Sequence, residues 1–235
     1  MFSAALMTFL IFATSMTTAE RTSAGRGVDD PTKVSPRRIG VRLYGDATLD
    51  ASDASDSDAF ASAIWETRRI LAEAGVDLDV QSCLHWRSGD EQDPCARPPR
   101  PDEYSIRTYR SSAFAPRTVG KHRLAYSLMD FDSGQGSLIT IDLTAIEWLA
   151  DASGSDAELL LGRTAAHELG HLLLRSPEHA RSGLMRAVWS NQELHRNRAK
   201  DWAFATRQVA DIHAQGRPNV KHPRNPAALV GDAAD

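Results

Sequence analysis

Residues 167–171 read His-Glu-Leu-Gly-His, and no other feature narrows the possible folds of this chain as much. On an α-helix, residues four apart lie on one face, so His167 and His171 can both meet one metal ion. The flanking sequence predicts that helix over Asp156–Leu174. Gly162, Ala165, Ala166 and Gly170 are small and permit close backbone approach on the packed side. Gly170 costs about 1 kcal/mol relative to Ala inside a helix, so its presence points to a packing reason. Leu172, Leu173 and Leu174 bury the end of the helix. Arg175 suits the negative end of the helix dipole, and Pro177 forbids continuation.

Glu168 follows His167 directly and projects beside the metal position. There it can hold and deprotonate a water without being a ligand. A catalytic zinc needs three protein ligands and one open position. His179, just beyond the turn forced by Pro177, is the preferred third ligand. Glu193, 22 residues after His171, is its rival and would give a site of two His and one Glu.

The stretch Ala166-His-Glu-Leu-Gly-His171, with His179 and Ser182-Gly-Leu-Met185 downstream, resembles the metzincin clan of zinc metallopeptidases. Its local wording is similar to matrixin-type active sites. It is closer still to a subgroup of bacterial exported proteins with H-E-x-x-H-x7-H followed by Gly-Leu/Ile-Met-Arg. The resemblance covers about Thr164 to Trp189. Upstream, element order and the cysteine pair agree only loosely. The resemblance implies His167, His171 and His179 as ligands of Zn2+, Glu168 as general base, and Met185 as the turn methionine beneath the metal. It implies a zinc metalloendopeptidase acting on peptide or protein substrates. Two alternatives come from other readings: a non-catalytic zinc-bearing binding domain, and a gluzincin-type site using Glu193. The chain departs from the usual H-E-x-x-H-x-x-G-x-x-H pattern. Leu174 and Pro177 stand at the glycine and third-histidine positions, so His179 arrives two residues late. The turn must be built by Arg175, Ser176 and Pro177 without glycine. No Tyr follows Met185, and Arg186 is expected as an exposed surface residue.

Composition narrows the rest. The 235 residues suit one domain with tails. At 42% hydrophobic and 25% charged, the chain is an ordinary globular sequence, which excludes wholesale disorder. A net charge of −4 argues against a nucleic-acid partner. No apolar run reaches the roughly 20 residues of a membrane span. Ala4–Met16 has the length of a signal-peptide core, although no Lys or Arg precedes it. Thr17-Thr18-Ala19 places small residues for cleavage, so residues 1–19 read as a signal peptide and the protein as secreted or periplasmic. In that compartment Cys83 and Cys95 are expected to close a disulfide around a polar loop; in a cytosolic protein they would be two free thiols. His85 in this loop does not complete a zinc site with them.

Residues 20–36 read as a linker and 37–215 as one zincin-like metallopeptidase domain. Residues 216–235, rich in Pro, Asn, Ala and Gly, read as a disordered tail. Alternating patterns predict strands at 38–44, 76–81, 104–109, 124–129 and 137–143. Helical spacing predicts helices at 59–74, 145–150, 156–174 and 199–215. Ser133–Gly136 is expected as a turn. The order implies an α+β fold, a zincin-like mixed sheet packed on the active-site helix with a C-terminal helix. The 137–143 strand is the candidate for the cleft edge, where a peptide can add by main-chain hydrogen bonds. Trp65, Trp148, Trp189 and Trp202 are expected as core anchors.

Overall fold

The computed structural model describes residues 36–45, 54–84, 86, 92–100, 102–111, 123–130 and 135–215. The expected signal peptide, the tail and His85 lie outside the described residues, as does the linker apart from Pro36. The first half of the expected turn, Ser133 and Gly134, is also outside them. Among the described residues, no helix is long and apolar enough to cross a membrane.

Five strands of the described residues form one mixed sheet: β1 (Arg37–Tyr44), β2 (Val76–Cys83), β3 (Glu103–Tyr109), β4 (Ala125–Leu128) and β5 (Leu138–Asp142). Their spatial order is β2-β1-β3-β5-β4. The first four in that order run parallel, and β4 pairs antiparallel with β5 at one edge. Among the described residues, five helices accompany them: α1 (Ala54–Glu73), α2 (Leu143–Ser153), α3 (Ala157–Leu174), α4 (Asn191–Arg196) and α5 (Thr206–Gln215). The α+β expectation is met, with the mixed sheet packed on the helix that carries the histidine pair.

Burial explains the layering. Ile39, Val41 and Leu43 alternate inward along β1, and Ile139 and Ile141 are buried in β5. Leu160, Leu169 and Leu173 of α3 join them in the core. Helices α1 and α3 meet where Gly162 leaves no room for a side chain. A Cβ there would lie 2.5 Å from the Ala63 carbonyl oxygen and 2.9 Å from Glu66 Cβ. The Arg163 Nε donates to Glu66 Oε1 at 3.1 Å across this junction, with both side chains buried. Asp142 ends β5 and caps α2, accepting from Thr144 N at 3.0 Å. Asp156 caps α3, accepting from Leu159 N at 2.9 Å.

Several expectations need correction. The helix expected over 199–215 is broken: a 3-10 turn spans Ala199–Trp202 and α5 begins only at Thr206. Trp202 and Phe204 are both buried, so the chain bends to place two aromatics where a continuous helix would carry them apart. Helix α4 is an addition to the expected elements, although Ser190 and Glu193 form a capping box whose S-x-x-E signature is in the sequence. The 137–143 segment is not the cleft edge. β5 is interior, between β3 and β4, and among the described residues the edge strand on that side is β4. Trp65 is no core anchor, being 61% exposed, whereas Trp202 is fully buried.

Candidate metal centre

The end of α3 builds the site. Arg175 adopts a left-handed conformation (φ 51°, ψ 40°). Its N–H donates to Leu172 O at 3.3 Å, and Ser176 N donates to His171 O at 3.2 Å. This is a Schellman turn with arginine where glycine is usual. It replaces the glycine turn that the sequence lacks and reverses the chain before Pro177. The turn also aims the Ser176 carbonyl back at the helix, where it accepts from His171 Nδ1 at 2.8 Å. One turn earlier, His167 Nδ1 donates to the Leu184 carbonyl at 2.8 Å. A carbonyl only accepts, so both Nδ1 atoms carry the proton and both Nε2 atoms present lone pairs. Those two Nε2 atoms are 3.1 Å apart.

His179 joins them. Its ring centroid lies 4.8 Å from that of His171 and 5.4 Å from that of His167. Ligand atoms of His167, His171 and His179 all fall within 4.8 Å of one another. Burial holds the His167 imidazole down to about 4, against the raising effect of its bond to Leu184. His171 is lowered by the same cause. The pair is therefore neutral near pH 7, as ligands must be. Two lone pairs facing each other at 3.1 Å call for a cation, and tetrahedral zinc at about 2.0–2.1 Å from each nitrogen would separate its ligands by about 3.4 Å. The donor set fits zinc.

Glu168 is buried and lies outside that ligand cluster. Burial raises its carboxyl to about 7, opposed by the Ser127 hydroxyl, the charge of Arg123 and the Ser127 backbone. Glu193 is elsewhere: Ser190 N and Ser190 Oγ donate to its Oε2 at 2.9 and 2.6 Å. Its other oxygen takes the Arg186 guanidinium. Arg186, expected on the exposed surface, has a side chain only 12% exposed and also donates from Nε to Gly183 O at 3.1 Å.

Met185 is fully buried and fits against α3 only because position 170 is glycine. A Cβ there would lie 2.5 Å from Met185 Sδ and 2.8 Å from the Phe204 ring. The loop carrying it is pinned on both sides, by Ala180 N to Met185 O at 2.7 Å and Leu184 N to Ala203 O at 2.9 Å. Trp189, expected as a core anchor, packs against the core and also faces the site. It is half-buried at the site, with its ring edge-on to His167 at 5.7 Å. Its Nε1 donates at 3.3 Å to the Leu184 carbonyl that also holds His167. Trp148 is likewise half-buried and lines the cleft.

The three histidines and Glu168 open into a cleft of about 560 Å³. Its walls are Arg123 to Ser127 along β4 on one side and Arg186 to Trp189 on the other. Cys83 and Cys95 form a disulfide at the end of β2. Tyr44 Oη donates to Cys95 O at 3.0 Å there.

No family model matches the sequence, and no curated protein matches it. Among solved structures, the chain is similar to archaemetzincin from Methanopyrus kandleri, at 14% identity over 77% of this chain and 98% of that one, with a TM-score of 0.45. It is similar to a zinc-dependent peptidase from Methanocorpusculum labreanum at 12% identity, over 74% of this chain and 100% of that one, with a TM-score of 0.46. It is also similar to metalloproteinase-II from Bacteroides fragilis at 15% identity, over 79% of this chain and 55% of that one, with a TM-score of 0.44. These likenesses are distant.

Proposed function

We propose that the protein is a zinc metalloendopeptidase whose metal is held by His167, His171 and His179, with Glu168 as general base. One observation carries this: three imidazole ligand atoms converge within 4.8 Å beside a buried carboxylate that is not part of their cluster. A structural zinc site uses all its positions for protein ligands; three ligands leave one open. Zinc, when bound, supplies a Lewis acid that polarises the scissile carbonyl and acidifies water. Glu168 takes the proton of the attacking water and delivers it to the departing amine nitrogen. Its raised affinity for a proton suits a group that must accept one and then release it. Ser127 on the neighbouring strand favours the charged form of this carboxylate, against the effect of burial.

β4 supplies the binding edge. Among the described residues no strand pairs with its outer side, so an extended peptide can add there by main-chain hydrogen bonds. Tyr126, Leu128 and Val188 are exposed apolar side chains around the same region. Met185 gives the floor: its packing against Gly170 fixes the loop whose Leu184 carbonyl orients His167. The Cys83–Cys95 disulfide agrees with a secreted or periplasmic location, which also requires the signal peptide.

The test is cleavage of a broad peptide library by the wild type and by Glu168→Ala at equal zinc occupancy. The variant is expected to keep zinc and lose activity by about 10²–10⁴-fold. Equal activity would remove Glu168 from the reaction. Zinc binding without cleavage of any peptide by the wild type would favour a binding domain.

A further inference from the structure

The chain as a whole is acidic, with a net charge of −4, yet its cleft is not. Among the described residues lining the cleft, Glu168 is the single carboxylate, set against the guanidinium groups of Arg123 and Arg186. The two arginines differ. Arg186 is mostly buried and neutralised by Glu193. Arg123 is exposed; its charge reaches Glu168 across the cleft, but no close ion pair joins it to a carboxylate among the described residues. Arginines elsewhere on the surface do find such partners, as Arg110 does with Glu147 at 2.6 Å and Arg38 with Asp77 at 3.1 Å.

Arg123 is also well rooted. The next residue, Leu124, accepts from Asp142 N at 2.9 Å, which ties the backbone to the end of β5. The arginine therefore stands at one end of the β4 edge, where a peptide added to that edge must pass. Ser127 of β4, which favours the charged form of Glu168, marks the reacting position. Arg123 lies four positions before Ser127, just ahead of β4, and its charge still reaches Glu168.

Granted the peptidase reading of this cleft, on which it rests, we infer that Arg123 selects substrates by a carboxylate lying about two to four residues from the scissile bond. The carboxylate is an Asp or Glu side chain or the free C-terminus of a short peptide. A guanidinium offers two parallel N–H donors to such a group, a geometry that a neutral amide does not match. The rest of the acidic surface does not compete, because the attraction acts at short range and is screened over about 8–10 Å in physiological salt.

The test uses the full chain loaded with zinc and matched peptides in which single positions carry Asp or Asn, with free or amidated C-termini. Binding is measured on Glu168→Gln, so that no turnover is needed, and cleavage on the wild type. Acidic peptides are expected to bind on the order of tenfold tighter than their amide twins, with the gap shrinking as salt rises. Adding Arg123→Gln should abolish the gap, and Arg123→Glu should invert it towards Lys-bearing peptides. A gap that follows the internal Asp identifies the side chain as the source; one that follows the free terminus identifies the α-carboxylate. Equal binding of both twins, a gap unchanged by Arg123→Gln, or no peptide binding at all would overturn the inference. Selective binding without any cleavage by the wild type would leave the Arg123 assignment standing and overturn the peptidase reading alone.

Discussion

Arg163 and His167 are one turn apart on α3 and both are buried, yet the polar groups around them are satisfied very differently. Arg163 donates to Glu66 at 3.1 Å, reaches the Asn197 side-chain oxygen, and stacks over the Trp202 ring at 4.1 Å. Glu66 in turn accepts from Arg69 at 2.7 Å. Each charge there has its counterpart. Around His167 the balance is left open: two Nε2 lone pairs face each other, and burial pushes the Glu168 proton affinity up to about 7. A cluster of the first kind pairs its charges and locks α1 to α3, although the buried Trp202 Nε1 beside it finds no acceptor among the described residues. An open one of the second kind stores a demand for a cation and for a proton acceptor's turnover, and such demands gather at functional sites.

Removing one partner from the closed cluster should have the largest effect on stability. Arg163→Ala leaves Glu66 with less compensation and should cost about 3–5 kcal/mol in denaturant unfolding. The folded fraction should still bind zinc with unchanged stoichiometry. Loss of zinc without loss of stability would show that the two clusters are not separable as described.

A smaller effect is expected one step outside the ligands. Trp189→Phe keeps the ring against His167 but removes the N–H that holds the Leu184 carbonyl. Zinc affinity, read by competition with a chelator, should fall about 10–100-fold, with little change in unfolding. Unchanged affinity would reduce Trp189 to packing.

The smallest effect concerns the turn. Arg175 holds a left-handed conformation that a Cβ disfavours by about 1–2 kcal/mol, part of which glycine would recover. Arg175→Gly should therefore raise stability by up to about 1 kcal/mol and leave zinc affinity in place. Destabilisation would mean that the arginine side chain itself supports the turn.

Much of this contrast is legible in the sequence, and the illegible part has physical reasons. The α3 helix shows itself through a cap at Asp156, small residues on one face and the stop at Pro177. His179 is readable as a partner because a forced turn brings nearby residues back. The sheet edge is not readable: alternation marks a strand but carries nothing about which neighbour it takes, so β5 reads as an edge as well as β4 does. Trp189 gives no signal because its role lies in an indole N–H meeting a main-chain carbonyl, and aromatic residues are usually core. The break before α5 is hidden because no Gly or Pro marks it, and only the packed core shows that Trp202 and Phe204 both point inward. Helix α4, by contrast, has its capping box in plain view between Ser190 and Glu193.

The central claim is that His167, His171 and His179 hold one zinc ion and that Glu193 does not. The most direct measurement is elemental zinc per folded chain for the wild type, His179→Ala and Glu193→Ala after refolding with metal and dialysis. About one zinc per wild-type chain is predicted, with loss in His179→Ala and retention in Glu193→Ala, whose change breaks only the helix cap and the bond to Arg186. Zinc kept by His179→Ala and lost by Glu193→Ala, or no zinc in the wild type, would contradict it.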